Sequence, residues 1–377
     1  MWNDLAETLD DLQRRGRRRR LRRVKIEGVH LIDDQRRRLV NFGGNDYLGL
    51  AAELASAIPA VGSMGATASG LVCGWTERHQ QLAQRIADLE QTESAVIFPT
   101  GFAACSGTAA TLGRERDLIL SDALNHASLI DGCRLAKAQC IVYPHRDDQT
   151  VGRILAERRG EFDRVWIVTD SVFSMHGHVA PLEQLCDLAD QYQATVVVDE
   201  AHATGVLGET GSGACEALGV KHRVPIRIGT LSKALGGQGG FVAGPQVVID
   251  YLINHCRPLI FSTALSLPAV EAGILAIHQI DTQPQRRRRV GMLARQVRQA
   301  LGGRCDGVES GVPIIPIVIG ADQAAVDASQ RLYELGMFVP AIRPPTVPEG
   351  EARLRVSLSA EHDDQMILRL IDALKKL

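Results

Sequence analysis

No apolar run in this 377-residue chain approaches the roughly 20 residues that a bilayer-spanning helix requires. The opening residues, MWNDLAETLDDL, are acidic and lack the apolar core of a secretory signal, so the cytoplasm is the expected compartment. Eight cysteines (73, 105, 133, 140, 186, 215, 256 and 305) occur singly. No CxxC is present, and no cysteine stands at zinc-ligand spacing with a histidine, so they read as buried or surface thiols in a reducing compartment. Net charge is nearly absent as well. With Lys+Arg at 42 and Asp+Glu at 44, the formal charge of −2 argues against nucleic acid or membrane as a partner of the whole chain. There is no Walker A sequence. GGQGG and GETGSG do not open a helix after a strand with an acid ~20 residues on, which excludes the dinucleotide fingerprint. His176, His178 and His202 make a poor ligand set that a turn explains better, so no metal is expected. No internal repeat or low-complexity tract interrupts the chain.

What is present is enough apolar material, 45% of residues, for a substantial core. The length suggests one large domain and a smaller one. From about residue 80, short β-branched runs alternate with helical patterns. Helix is expected over 80–91, strand at SAVIF, strand at 117–120, helix over 126–138, and strands at CIVYP, RVWIVTD, TVVVDEA, RIGTLS and GFVAGP. PLEQLCDLADQY reads as the helix between two of these strands. Such alternation means a mostly parallel sheet covered by helices on both faces. Ligands of these sheets bind outside the carboxyl ends of the strands. TQPQRRRR breaks the pattern near residue 285. A long helix, the strands GVPIIPIVIG and RLRVSLS, and helices over 322–336 and 361–376 follow. The expected organisation is therefore an N-terminal basic helix and short strand segment over 1–45, a large α/β domain over 46–285, and a small C-terminal α+β domain over 286–377.

The basic run from Arg14 to Arg23, with Arg36 to Arg38 after it, allows three readings. Leu5, Leu9 and Leu12 at helical spacing favour a solvated helix with its charge outward. A site for an anionic substrate comes second, with Arg22 as its candidate. Nucleic acid comes last, because no aromatic stands among the arginines to stack a base.

Three successive strand ends carry the chemistry: Asp170 after RVWIVTD, Asp199 and His202 in TVVVDEAH, and Thr230 to Lys233 in TLSK. A carboxylate after one strand and a lysine after the next can converge on one crevice. That pair suits pyridoxal phosphate (PLP), whose aldehyde takes a lysine amine and whose ring nitrogen needs a buried carboxylate. Small residues in TLSKALGGQGG allow a flat ring to approach. Gly101 and Phe102, in PTGFAA, follow a strand and open a helix, where free backbone N–H groups bind phosphate.

These stretches, together with NFGGNDYLGL, LNHASLIDGCRLA, DSVFSMHGH, VVVDEAHATGVLGETGSG, TLSKALGG and FSTALS, occur in the order of one family. The chain resembles the α-oxoamine synthases, PLP enzymes of fold type I (aspartate-aminotransferase-like), over nearly its full length. The block AIRPPTVPEGEARLRVSLSAEH resembles the branch of that family in the biotin pathway. The resemblance implies decarboxylative condensation of L-alanine with pimeloyl-CoA or pimeloyl-acyl-carrier protein, releasing CO2 and the thiol. Glycine with acetyl-CoA is the alternative within the family. It also implies roles by position. Lys233 would hold PLP, Asp199 would meet the ring nitrogen, His202 and Ser174 would lie on the phenolic-oxygen side, and His126 would stack on the ring. Gly101, Phe102 and Thr230 would hold the phosphate, joined by Thr263 from the second subunit of a homodimer with shared active sites. Arg343 would hold the amino-acid carboxylate, with Asn45 nearby. Two stretches depart from the family pattern: residues 51–74 are several residues short, and the histidine in FSMHGH stands where an acid is common.

Overall fold

The apolar runs between residues 94 and 244 pair into one seven-stranded sheet in a computed structural model that describes residues 2–305 and 311–377. In chain order the strands are β1 (Ser94–Phe98), β2 (Leu118–Asp122), β3 (Gln139–Tyr143), β4 (Val165–Asp170), β5 (Thr195–Asp199), β6 (Ile226–Thr230) and β7 (Gly240–Gly244). Across the sheet they lie in the order β1-β7-β6-β5-β4-β2-β3. The ladders from β3 through β6 are parallel, and β7 alone runs antiparallel to both its neighbours. The mostly parallel sheet expected from the alternation is therefore present.

Burial follows from this pairing. Every residue of β2, β4, β6 and β7 is buried, as near-continuous apolar strands covered on both faces must be. Two of the covering helices bear on the site: α1 (Gly101–Leu112) and α2 (Ala127–Leu135). α1 is built almost wholly from small residues, and Ala104 and Cys105 enter the core with Phe98, Val168, Val197, Ile228 and Val242. α2 ends at Leu135, three residues before the expected limit, because Ala136 turns to extended backbone and leads directly into β3.

Two compact units divide the chain. The large one holds this sheet and consists of Leu50–Ser174 and His178–Arg287. The small one consists of the chain up to Gly49, Met175–Gly177 and Arg288–Leu377. The chain passes from one unit to the other at Arg287/Arg288, close to the expected 285, and the expected long helix is present there. Helices Leu267–Thr282 and Pro284–Leu301 are separated by Gln283 alone, and Arg286 to Arg289 lie within the second. Pro284 opens that helix, a position where the missing N–H costs no hydrogen bond.

In the small unit, Lys25–Glu27, His30–Ile32 and Arg38–Asn41 form an antiparallel ribbon that Met337–Phe338 joins in parallel. Ile314–Gly320, Ala352–Ser357 and Ala341–Ile342 form a second, antiparallel sheet. The N-terminal helix spans Asn3–Arg14 and buries no residue. It stops before most of the basic run, which corrects the reading of those arginines as one solvated helix face. Arg17 instead donates from Nε to Asp322 Oδ2 at 2.7 Å and from a terminal nitrogen to Glu349 Oε1 at 2.7 Å, and Arg19 donates to Thr346 Oγ1 at 3.2 Å.

His362 gives this unit a built-in pH dependence. The ring is buried against Phe42, with centroids 4.4 Å apart. Nε2 lies 3.1 Å from the Asn41 carbonyl, so it carries the proton, and Nδ1 accepts the Ser359 N–H at 3.0 Å. A second proton would destroy the latter bond, and burial brings the His362 pKa down to about 4. The unfolded chain, with a histidine pKa near 6.5, binds that proton more readily. Stability is thus complete above about pH 6.5 and falls as pH drops towards 4, by about 3 kcal/mol in all. Urea unfolding of His362→Gln is expected to show a flatter pH profile between 4 and 6.5 than the parent. Equal slopes would refute the assignment.

Candidate active site

In the large unit most of the expected residues follow the carboxyl ends of the sheet strands. β1 leads through Thr100 into α1. The Thr100 hydroxyl accepts the Ala103 N–H at 3.0 Å, and the helical ladder offers the Gly101 and Phe102 N–H groups no acceptor. A 12-residue helix therefore presents free donors and the positive end of its dipole at the strand ends. Glycine lets the start of this helix pack closely on the neighbouring strands. A Cβ on Gly101 would lie 3.1 Å from the Thr230 side chain, and one on Gly240 would lie 2.6 Å from Gly101 Cα. Thr230 Oγ1 is fixed by donating to the Gly239 carbonyl at 2.8 Å while accepting the Ser232 N–H at 3.1 Å.

Lys233 follows in the tight connection from β6 to β7. Ser232 and Gly239 close this loop by hydrogen bonds between the Ser232 hydroxyl and both backbone groups of Gly239. Lys233 is half-buried there, and its charge acts on His126 and Asp170.

Asp170 and Asp199 are paired in register at the ends of β4 and β5, which sets two buried carboxyls side by side. Burial and then the Asp199 charge push the Asp170 pKa well above the usual carboxylate range. Asp170 also accepts the His126 N–H at 3.2 Å, and its own N–H goes to Asn125 Oδ1 at 3.0 Å. His126 caps α2, with Nδ1 2.6 Å from the Ser128 hydroxyl, and its ring stands edge-on to Phe102 at 6.4 Å. Burial lowers its pKa against the opposing Asp199 charge, with Lys233 adding a smaller push, and favours the neutral ring. His202 is buried in the turn after β5, and Ser174 is half-buried in the connection after β4. Thr263 is exposed and forms an isolated bridge with Ser69.

Two partners of this cluster carried no sequence signal. Cys105, one turn along α1 from Gly101, donates its thiol to Asp199 Oδ2 at 3.1 Å, while Asp199 Oδ1 accepts the Ala201 N–H at 2.8 Å. Burial and the Asp199 charge hold the thiol protonated, as a donor must be. Glu200 faces away from Asp199. It accepts the Ser171 hydroxyl at 2.6 Å and the Ala214 and Cys215 N–H groups at 3.0 and 2.8 Å, tying the loop that follows β5 to the end of β4. The expected turn is present over residues 174–176; beyond it His178 meets His145 at 2.9 Å, and His145 meets Asp122 at 2.9 Å. Among the described residues no group of three or more metal-ligating side chains occurs.

A family model described as aminotransferase class I and II matches residues 37–374. An 8-amino-7-oxononanoate synthase from Lysinibacillus sphaericus is 39% identical over 375 residues, 98% of this chain and 96% of that protein. One from Anaeromyxobacter dehalogenans (strain 2CP-1) is 41% identical over 376 residues, 98% of this chain and 94% of that protein. The chain belongs to the 8-amino-7-oxononanoate synthase family, within the class I and II aminotransferases.

Solved structures agree on the architecture of this family. A serine palmitoyltransferase from S. paucimobilis, solved with PLP and myriocin bound, superposes with a TM-score of 0.90 at 27% identity, covering 100% of this chain and 96% of that one. An 8-amino-7-oxononanoate synthase from Francisella tularensis gives 0.73 at 26% identity, covering 90% and 97%. The chain is a fold type I enzyme and PLP is its cofactor. Its residues fit that group. Two helix donors with no acceptor in their own helix suit a phosphate, a buried carboxylate suits a ring nitrogen, and a half-buried lysine stands at the neighbouring strand end.

The small unit holds the family's remaining expected residues, and it groups them differently from the expectation. Asn45 goes to Arg355, not to Arg343: Arg355 donates to Asn45 Oδ1 at 3.2 Å and to the Ser357 hydroxyl at 2.7 Å, and it is buried. Arg343 donates to the Gly16 carbonyl. Burial, with the charges of Arg19 and Arg22 adding to it, lowers its pKa. Arg22 lies over the Phe338 ring at 5.6 Å. The cause of the regrouping is strand register: Arg355 lies in the central strand of the small sheet, whereas Arg343 follows its edge strand.

Proposed function

We propose that the enzyme condenses L-alanine with a pimeloyl thioester, carried by CoA or by acyl-carrier protein, to give 8-amino-7-oxononanoate, CO2 and the free thiol, a step of biotin synthesis. The observation that carries the chemical part is the cluster at the strand ends, where Asp199, Asp170, His126 and Lys233 share one electrostatic environment. The name shared by relatives at 39–41% identity over nearly the whole chain supports the substrate part. When bound, PLP supplies an electron sink for the carbanion at the amino acid's Cα.

Each side chain then has a task. Lys233 would hold the cofactor through Nζ, and the same nitrogen, when free, would take the Cα proton. Asp199, fixed by the Cys105 thiol and the Ala201 N–H, keeps the ring nitrogen protonated. His126, favoured as the neutral ring, would stack on the cofactor, and Gly101, Phe102 and Thr230 would bind the phosphate. His202 and Ser174 hold the phenolic-oxygen side, and His202 donates a proton during loss of CO2. Arg355, rather than Arg343, takes the amino-acid carboxylate, because Asn45 is its neighbour and guanidinium geometry matches a carboxylate. Arg343, Arg19 and Arg22 gather positive charge for the anionic end of the acyl donor. Two copies of the chain form the working unit, each lending Thr263 to the other's phosphate site.

Thiol release by the PLP-loaded protein tests the reading. Pimeloyl-CoA with L-alanine is expected to release thiol, and acetyl-CoA with glycine is expected to give less than about a hundredth of that rate, a ratio within reach of pocket discrimination. Release with acetyl-CoA and glycine alone would move the substrate assignment to the sibling reaction.

A further inference from the structure

Parallel neighbours paired in register point their side chains to the same face of a sheet. Cys140 on β3 is paired with Ile119 on β2, and Ile119 packs in the core with Leu129 and Cys133 of α2. Cys140 therefore stands on the face that α2 covers. The Cys133 and Cys140 side chains lie near enough to act on each other's ionisation. Their exposure differs sharply, Cys140 being open to solvent and Cys133 buried. Cys105, by contrast, is committed to Asp199.

We propose that Cys133 and Cys140 are a redox modification site that closes to a disulfide when the protein meets a peroxide. The exposed sulfur is the one that reacts. The neighbouring Cys133 thiol lowers the Cys140 pKa and so raises its thiolate fraction. The Cys140 thiolate attacks one peroxide oxygen and breaks the O–O bond, giving a sulfenic acid and hydroxide. Cys133 then attacks the Cys140 sulfur. The S–O bond breaks, its oxygen leaves as water with the Cys133 proton, and the S–S bond forms. Overall, two thiols and one hydrogen peroxide give one disulfide and two waters. The sulfurs are oxidised, the peroxide is reduced, and a dithiol reductant reverses the change. The ring so closed is short, with the two residues seven positions apart. The bond ties the C-terminal turn of α2 to the edge strand without needing any distant segment to move.

The test uses the intact PLP-loaded protein and does not depend on which substrates it accepts. After mild hydrogen peroxide, the count of free thiols is expected to fall from eight to six and to recover with dithiothreitol. Non-reducing peptide mapping is expected to join the segments containing Cys133 and Cys140. Cys140→Ser is expected to lose no thiols at the same dose, and Cys133→Ser to leave a sulfenic acid at position 140 that a dimedone-type nucleophile traps. A higher dose, at which exposed Cys73 also oxidises, is the internal control for reach of the oxidant. Oxidation of Cys73 with no link between 133 and 140, or the same thiol loss in Cys140→Ser as in the parent, would overturn the proposal.

Discussion

Lys233→Ala is expected to reduce thiol release from pimeloyl-CoA and L-alanine at least about a thousandfold while leaving the fold intact. Lys233 is half-buried in a loop closed by Ser232 and Gly239, so removal of its side chain breaks no bond of that closure. Two functions vanish together: the covalent hold on the cofactor and the amine that accepts the Cα proton. Positioned proton transfer alone accounts for about 10²–10⁴ in rate. Cofactor is still expected to bind, through Asp199 and the α1 donors, but to leave on dialysis, which absorbance of the dialysed protein measures directly. A variant with more than a few per cent of parental turnover would remove Lys233 from the mechanism.

Asp199→Asn is expected to cost about 10²–10³ in kcat, comparable to removing one preorganised electrostatic contact. The side chain keeps its shape and can still accept the Ala201 N–H. What it loses is the negative charge that favours a protonated ring nitrogen. The defect is therefore expected in exchange of the alanine Cα proton with solvent, measured without any acyl donor. The mutation also relieves Asp170 of a neighbouring charge, so thermal stability is expected to hold or rise. Unchanged proton exchange in this variant would refute the role.

Most of the sheet was legible because buried parallel strands are written as uninterrupted apolar runs, and RVWIVTD and TVVVD fall where the sequence places them. Polar residues that end such runs face the ligand side by topology alone, which is why Asp170, Asp199 and the segment around Lys233 could be singled out. The contacts that tune them were not legible. Cys105 reaches Asp199 across 94 positions of chain, and nothing local in AACSG distinguishes a thiol aimed at a carboxylate from a core thiol. The same limit applies to Arg355. In ARLRVS every residue is buried, so alternation gives no face to a charged side chain, and only the sheet register shows that Asn45 is its partner. The arginine run failed for another reason: its pattern was read as helix, but tertiary ion pairs to Asp322 and Glu349 decide where Arg17 lies.

The antiparallel strand β7 has a consequence for the order in which a growing chain can become an enzyme. β1 is the first strand of its sheet to be synthesised, yet its hydrogen-bonding partner is β7, the last, with Phe98 matched to Gly240. Until Gly240 emerges, β1 has no neighbour, and Gly101 lacks the surface against which it is packed. Closing so long a loop is entropically costly and slow. A nascent chain stalled before residue 240 would therefore hold five paired strands with no phosphate cradle. Capacity to take up cofactor should then arrive in a single late step, after most of the sheet already exists.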